Sequence, residues 1–258
     1  MTRLCFSQSN WRLPSKPLRS SAYLSDSRAR QHPGIVNRPW SDTPEEKGAL
    51  QALQCRLQAL NLSPAPDLAT QIWFLRDRSL DVEETVQKLT AMTKWRQKTC
   101  PSGLTEASVA AEAATGKVVL HNGEDNYGRP VVVVRAALHR TGEWPFDGSQ
   151  RLCAFMIESA LRQLPDGSES MLGIFDLRGF GLANADFGFF YFMIDAFFTY
   201  YPKRVSQVLL LEAPFAFKPI WSAVKPALGK YSALVSFISV RDLCPQYFSQ
   251  QTLPKIFK

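Results

Sequence analysis

The stretch from Asn184 to Tyr201 limits what this chain can fold into more than any other. Phe187, Phe189, Phe190, Tyr191, Phe192, Phe197, Phe198, Tyr200 and Tyr201 crowd into about four helical turns before Pro202 stops the run. Phe187, Phe190, Tyr191, Ile194, Phe197, Phe198 and Tyr201 recur at helical spacing on one face. Phe189, Phe192, Met193, Ala196 and Tyr200 fill a second, leaving Asn184, Gly188, Asp195 and Thr199 as a narrow polar strip. A helix apolar nearly all round has to be buried nearly all round. One face can pack on a sheet; the other needs more protein, as in a thick aromatic core, or an apolar ligand. A membrane span is poorly supported, because about 20 apolar residues are needed and Asp195 sits mid-run.

The flanks place that helix. Met171 to Leu177 is a short apolar run ended by Arg178-Gly-Phe-Gly181, and Val208 to Leu211 is a second, ended by Ala213-Pro214-Phe215. Two strands around a long helix predict a parallel pair with a crossover helix. Upstream, Thr43 as cap with Pro44, Glu45 and Glu46 opens a helix carrying Leu50, Leu53, Leu57 and Leu60. A second helix carries Leu68, Ile72, Trp73 and Leu75; Asp81 with Glu84 forms a capping box for a third, striped by Val82, Val86, Leu89 and Met92. Leu104 to Ala114 is Ala-rich and helical, Lys117 to His121 a strand, Asn122 to Gly128 a polar turn, and Val131 to Val134 a strand buried on both faces. A helix over Ser149 to Leu164 follows. After the central unit, Phe217, Ile220, Trp221 and Val224 stripe one side of a short helix closed by Pro226, and Val235 to Val240 is a last strand. The fold class is α/β with an all-helical N-terminal lobe.

Net charge is +7, but it is concentrated. Residues 1–40 hold Arg3, Arg12, Lys16, Arg19, Arg28, Arg30 and Arg38 against Asp26 alone, and the rest is nearly balanced. A nucleic-acid surface on the folded part is therefore not expected. The same arm is serine-rich, interrupted by Pro14, Pro17, Pro33 and Pro39, and has no apolar core of a secretory signal. That composition resembles an organelle transit peptide, and the prolines favour a plastid over a mitochondrion. A cytoplasmic protein with peripheral membrane association is the alternative. Five scattered cysteines and three histidines form no metal-ligand spacing. With no Gly-x-Ser-x-Gly elbow, Walker loop or Gly-x-Gly-x-x-Gly, catalysis is not expected.

Phe74-Leu-Arg76, Asp81-Val82, Trp95-Arg96, Gly128-Arg129-Pro130, Asp176-Leu177-Arg178-Gly179, Tyr201-Pro202, Ala213-Pro214-Phe215, Lys225-Pro226 and Thr252-Leu-Pro254 come in an order that resembles the CRAL-TRIO family. The likeness runs over roughly residues 45–258. With the basic, serine-rich arm expected as a disordered segment at 1–42, it implies a helical lobe at 43–100 and a lipid-binding domain at 101–258. It implies a mixed, largely parallel sheet flooring an apolar cavity, gated by a helix around Phe215 to Lys225. The expected activity is lipid binding with transfer between membranes, or membrane-recruited sensing without transfer. Expected cavity and gate residues are Phe155, Phe175, Phe190, Ile194, Phe197, Phe198, Phe215, Phe217, Ile220, Trp221 and Val224. Arg178, Lys203 and Arg204 are candidates for an acidic head. No cofactor or metal is expected beyond the bound lipid. The cargo is a phospholipid such as phosphatidic acid or a phosphoinositide, or an isoprenoid such as a carotenoid or tocopherol, exchanged at an anionic membrane surface. Oligomeric state is left open.

The chain departs from the family's phosphatidylinositol branch at several positions. Lys203 stands where that branch has Glu after Tyr-Pro, and Val235 where it has a lysine. Gly181 and Ala183 replace hydroxyl residues, and Glu212 replaces the common Asn before Ala-Pro. A phosphatidylinositol–phosphatidylcholine exchange cycle is not implied by these positions.

Overall fold

A computed structural model describes residues 37–166 and 168–258. The transit-peptide-like arm lies outside the described residues except for its last six. Those six are not free: Asn37 is buried, its carbonyl and that of Arg38 accept hydrogen bonds from Arg76, and Arg38 pairs with Glu46. These residues pack on the lobe although they lie before the expected boundary at 43.

Three capped helices build the lobe. Helix α1 (Pro44–Leu60) opens on the capping box of Thr43 and Glu46. Helices α2 (Leu68–Asp77) and α3 (Val82–Thr99) start on Asp67 and Asp81, whose carboxylates accept from Thr70 and Glu84 backbone N–H groups. Leu53, Leu57, Trp73, Phe74, Leu75, Val86, Leu89 and Met92 meet as its core. Helix α4 (Glu106–Ala113) leads to a five-stranded sheet, β1 (Val118–Glu124), β2 (Pro130–Arg135), β3 (Met171–Asp176), β4 (Val205–Leu211) and β5 (Val235–Ile238), in that spatial order. The β1–β2 pair is antiparallel and the other three pairs are parallel. β1 runs through part of the expected polar turn, past a register shift between Leu120 and Glu124. The turn is confined to Asp125–Gly128, where the Asp125 carboxylate accepts from the N–H groups of Tyr127 and Arg129.

Strand alternation splits the sheet into two faces. Val131, Val133, Leu172, Ile174, Leu209 and Leu211 face helix α8 (Val240–Tyr247) and the C-terminal segment, meeting Leu243, Tyr247, Phe248 and Phe257. Helix α8 is not among the sequence-based expectations: Pro245 lies inside it, and its first turn is held by Glu212, which accepts from the Val240 N–H at 2.8 Å. The opposite face carries α5 (Phe146–Arg162), α6 (Phe187–Asp195) and α7 (Lys218–Leu228). Helix α6 is shorter than expected. Asp186 caps it, and Ala196–Tyr200 continues it as a π-helical turn. Helix α7 passes Pro226 and stops at Gly229, which has positive φ.

Candidate ligand cavity

Between the sheet and helices α5, α6 and α7 lies an apolar cavity of about 170 Å³. One buried water needs only ~10–15 Å³, and a cavity of about 150 Å³ lined by aliphatic and aromatic side chains stays dry while admitting an apolar guest. The floor is formed by Val132 and Val134 on β2, Gly173 and Phe175 on β3, and Val208 and Leu210 on β4. Helix α5 supplies Leu152, Cys153, Met156 and Ile157 to one wall. Burial pushes the Cys153 thiol up to about 12, so it behaves as a small apolar side chain at neutral pH.

Helix α6 resolves the problem of its own apolarity in three ways. Phe189, Phe192 and Met193 pack with α5 and Trp95. Phe190 and Ile194 face the α7 side and, with Phe197 and Phe198 of the π-helical turn, line the cavity. Its third side is open: Phe187 is 44% exposed and Tyr191 49%. The helix is therefore not buried all round, and aromatic side chains remain in water. Phe198 stacks on Tyr231 with centroids 3.9 Å apart, tying the turn to the segment after α7.

Helix α7 closes the cavity with the expected one-sided stripe. Phe217, Ile220 and Val224 are buried and Trp221 half-buried, all four lining the void, while Lys218, Ser222 and Lys225 face solvent. Phe175, Phe190, Ile194, Phe197 and Phe198 join them in the wall. Two expected wall residues do not. Phe155 points away on α5, under the Arg162 guanidinium 5.9 Å from its ring. Phe215 is 79% exposed on the turn preceding α7, with Lys218 Nζ 4.8 Å from its ring centroid.

None of the three cations expected at a ligand head lines the cavity. Arg178 grips Asp176 with two hydrogen bonds of 2.8 and 2.9 Å and donates to the Ile256 carbonyl. Lys203 donates to Asn37 Oδ1 and to the Asp77 carbonyl, and lies 3.7 Å from Asp77 Oδ1. Arg204 lies 3.3 Å over the Trp73 ring and donates to the Glu169 carbonyl; burial lowers its pKa. Both joins are between lobe and sheet domain, where protein acceptors consume the charge. Their sequence neighbourhood beside Tyr201-Pro202 carried no sign of this, because Trp73, Asp77 and Asn37 lie more than a hundred residues away and Glu169 lies before β3.

Sequence reasoning also missed wall residues. Gly173 could have been found, since a lone glycine inside a strand marks a close approach. Lys117, Ser149, Asn184 and Asp186 line the cavity as well, at positions that read as ordinary termini of elements.

Residues 113–258, more than half of the chain, match the CRAL/TRIO domain family. A CRAL-TRIO domain-containing protein of Schizosaccharomyces pombe is 29% identical over 71% of this chain and 44% of its own length. A phosphatidylinositol transfer protein of Eremothecium gossypii is 26% identical over 70% of this chain and 44% of its own length. The chain thus spans less than half of these relatives. The crystal structure of Sfh5 superposes with a TM-score of 0.59 at 12% identity, covering 81% of this chain and 85% of that one, which shows the shared fold. By its matched residues, and in keeping with its mixed sheet and roofed cavity, the chain belongs to the CRAL/TRIO domain family.

Proposed function

We propose that the chain holds a hydrophobic lipid in this cavity and exchanges it at a membrane surface, with α7 and the turn before it as the gate. The observation that carries this is the apolar void between the sheet and α5, α6 and α7, closed on one side by the one-sided apolar stripe of α7. Relatives named as a phosphatidylinositol transfer protein and as a SEC14 cytosolic factor support the same activity. Burying hydrocarbon is favourable by about 0.8 kcal/mol per methylene, so a long chain does not leave the cavity into water at a useful rate. Release therefore takes place against a bilayer.

The exposed apolar side chains support such contact. Phe215, Leu182, Phe187 and Tyr191 are solvent-exposed, with Lys218 and Lys225 on the outward face of α7. Apolar side chains beside lysines suit the headgroup layer of an anionic membrane. Among the described residues no helix is long and apolar enough to cross a membrane. The basic arm is read as an address to a plastid, tested by fusing residues 1–42 to a fluorescent reporter. For the main proposal, the purified chain is exposed to a mixed lipid extract and analysed by native mass spectrometry, then assayed for transfer between donor and acceptor vesicles. One lipid per chain and transfer above the spontaneous rate are expected. Binding without transfer would make the protein a sensor, and no retained lipid would end the carrier reading.

A further inference from the structure

Helix α6 leaves one face uncovered. Phe187, Tyr191 and Asp195 recur four residues apart along it, all exposed, and Phe146 at the start of α5 is exposed beside them. Gly188 lies among them, where a Cβ would meet the Phe146 ring at 3.8 Å, so the surface there is bare backbone flanked by aromatic rings. The charge of this face differs from that of α7. No lysine or arginine occurs between Arg178 and Lys203. The Asp195 carboxylate makes no hydrogen bond or ion pair among the described residues, and partial burial alone pushes its pKa up. Aromatic rings ending on an unpaired carboxylate complement a cation-bearing segment better than an anionic bilayer, which complements Lys218 and Lys225 on α7.

The chain's own arm carries that chemistry. Residues 1–36 hold six basic side chains against Asp26 alone. Within them, Pro14-Ser-Lys-Pro17-Leu-Arg19 sets two prolines three apart, the repeat of the polyproline II helix, with Lys16 and Arg19 alongside. Segments with that proline repeat are taken by aromatic-lined surfaces. At ~3.1 Å per residue in that form, Pro14 to Arg19 covers about 15 Å. Phe187 to Asp195 covers about 12 Å of helix, a difference shorter than the Arg19 side chain. Reach is not limiting either. Lys203 Nζ donates to Asn37 Oδ1, so the arm joins the fold beside a residue that follows Asp195 by at most about 29 Å of chain. The stretch from Arg19 to Asn37 extends to about 60 Å.

We propose that Pro14–Arg19 of the same chain docks along the open face of α6, its prolines against Phe187 and Tyr191 and the Arg19 guanidinium on Asp195. This goes beyond the addressing role proposed for the arm, which needs no contact with the fold. A docked arm competes with the bilayer for the α6 rings and leaves the lysine-bearing face of α7 as the membrane contact. The arm is thereby an internal brake on membrane binding, released when its ion pair to Asp195 is broken.

The test places a photo-cross-linker on the face. Tyr191 is replaced by p-benzoylphenylalanine in the full chain, and an equal mixture of isotope-labelled and unlabelled protein is irradiated and digested with trypsin. Trypsin leaves Leu13–Arg19 whole, because Pro17 follows Lys16. The expected product joins the α6 peptide to Leu13–Arg19, both halves carrying the same label. Arg19→Asp and Asp195→Arg should each lower its yield about fivefold, the upper range for one exposed ion pair, and the doubly exchanged chain should recover it. Absence of this product overturns the proposal, as does a product joining differently labelled chains or a yield indifferent to both charge reversals. Anionic vesicles test the other occupant: a probe that reaches lipid and never the arm assigns the face to the membrane and overturns the docking. Lipid retention is expected to be the same in every variant, which separates this result from the carrier reading.

Discussion

At the level of single residues, Gly173 sets how much room the cavity has. It sits mid-strand on the floor, and a Cβ built there meets Phe175, the Gln207 carbonyl and Val208 at 3.8–3.9 Å, ordinary contact distances. The backbone therefore accepts a side chain, which would extend into the void. Gly173→Leu is expected to weaken lipid binding at least tenfold. Stability should be unchanged or higher by roughly 0.5–1 kcal/mol, because a strand glycine gives up chain entropy for no packing. Lipid displacement and urea unfolding on the same samples check both halves; a variant that still binds normally would mean that the guest lies elsewhere. Arg129 shows the opposite economy of space. Fully buried, it donates to Asp125 at 2.7 Å and to Ser206 and Gln207, joining the β1–β2 turn to β4. Arg129→Met strands the Asp125 carboxylate in the interior and should cost about 3–5 kcal/mol, read as a shift of the urea midpoint.

At the level of elements, helices α6 and α7 are held differently, and that difference is why α7 is proposed as the gate. The π-helical turn Ala196–Tyr200 is pinned from the lobe by Lys88, which donates to the Phe198 carbonyl at 2.6 Å, and by Trp95 stacked on Tyr200 at 4.4 Å. Helix α7 is tied mainly through its apolar stripe, and the turn leading into it presents Phe215 to solvent. Phe215→Asp should reduce co-sedimentation with anionic vesicles several-fold, while stability stays within about 0.5 kcal/mol, as for other exposed positions. Equal sedimentation of both proteins would remove Phe215 from the membrane contact. The α7 stripe was legible in the sequence because helical periodicity reports which side is buried. Helix α8 was not, since Pro245 masks a helix whose first turn is held by the distant Glu212. The apolar count of α6 likewise indicated burial but not its extent. Phe187 and Tyr191 follow the same periodicity as their buried neighbours, and solvent exposure on one side is decided by what else the chain puts there.

For the molecule as a whole, the lobe and the sheet domain are one mechanical unit. Trp73 Nε1 donates to the Pro202 carbonyl at 2.7 Å, Arg76 forks onto Glu169, and Lys203 reaches Asp77. At the centre, Arg96 on α3 pairs with Glu158 on α5 and donates to the Tyr201 hydroxyl, which in turn donates to Glu158 at 2.8 Å. Burial raises the Tyr201 phenol, so it stays a neutral donor across the accessible pH range. Apart from the Arg76–Glu169 fork, these contacts converge on residues 196–204, of which Phe197 and Phe198 line the cavity. This is why the cations near Tyr201-Pro202 misled as ligand contacts: their chemistry suits an anion, and the protein supplies the acceptors itself, Asp77 and Asn37 to Lys203 and the Glu169 carbonyl to Arg204. It follows that the lobe should not melt separately from the sheet domain. Arg96→Met leaves the Glu158 carboxylate and Tyr201 hydroxyl buried without their cation, and is expected to cost roughly 3–5 kcal/mol. Far-UV circular dichroism, tryptophan fluorescence and release of bound dye should nonetheless follow a single shared transition at the lower midpoint. Two separated transitions, with dye released in the second, would show that the lobe is an independent domain and that the cavity does not depend on its grip.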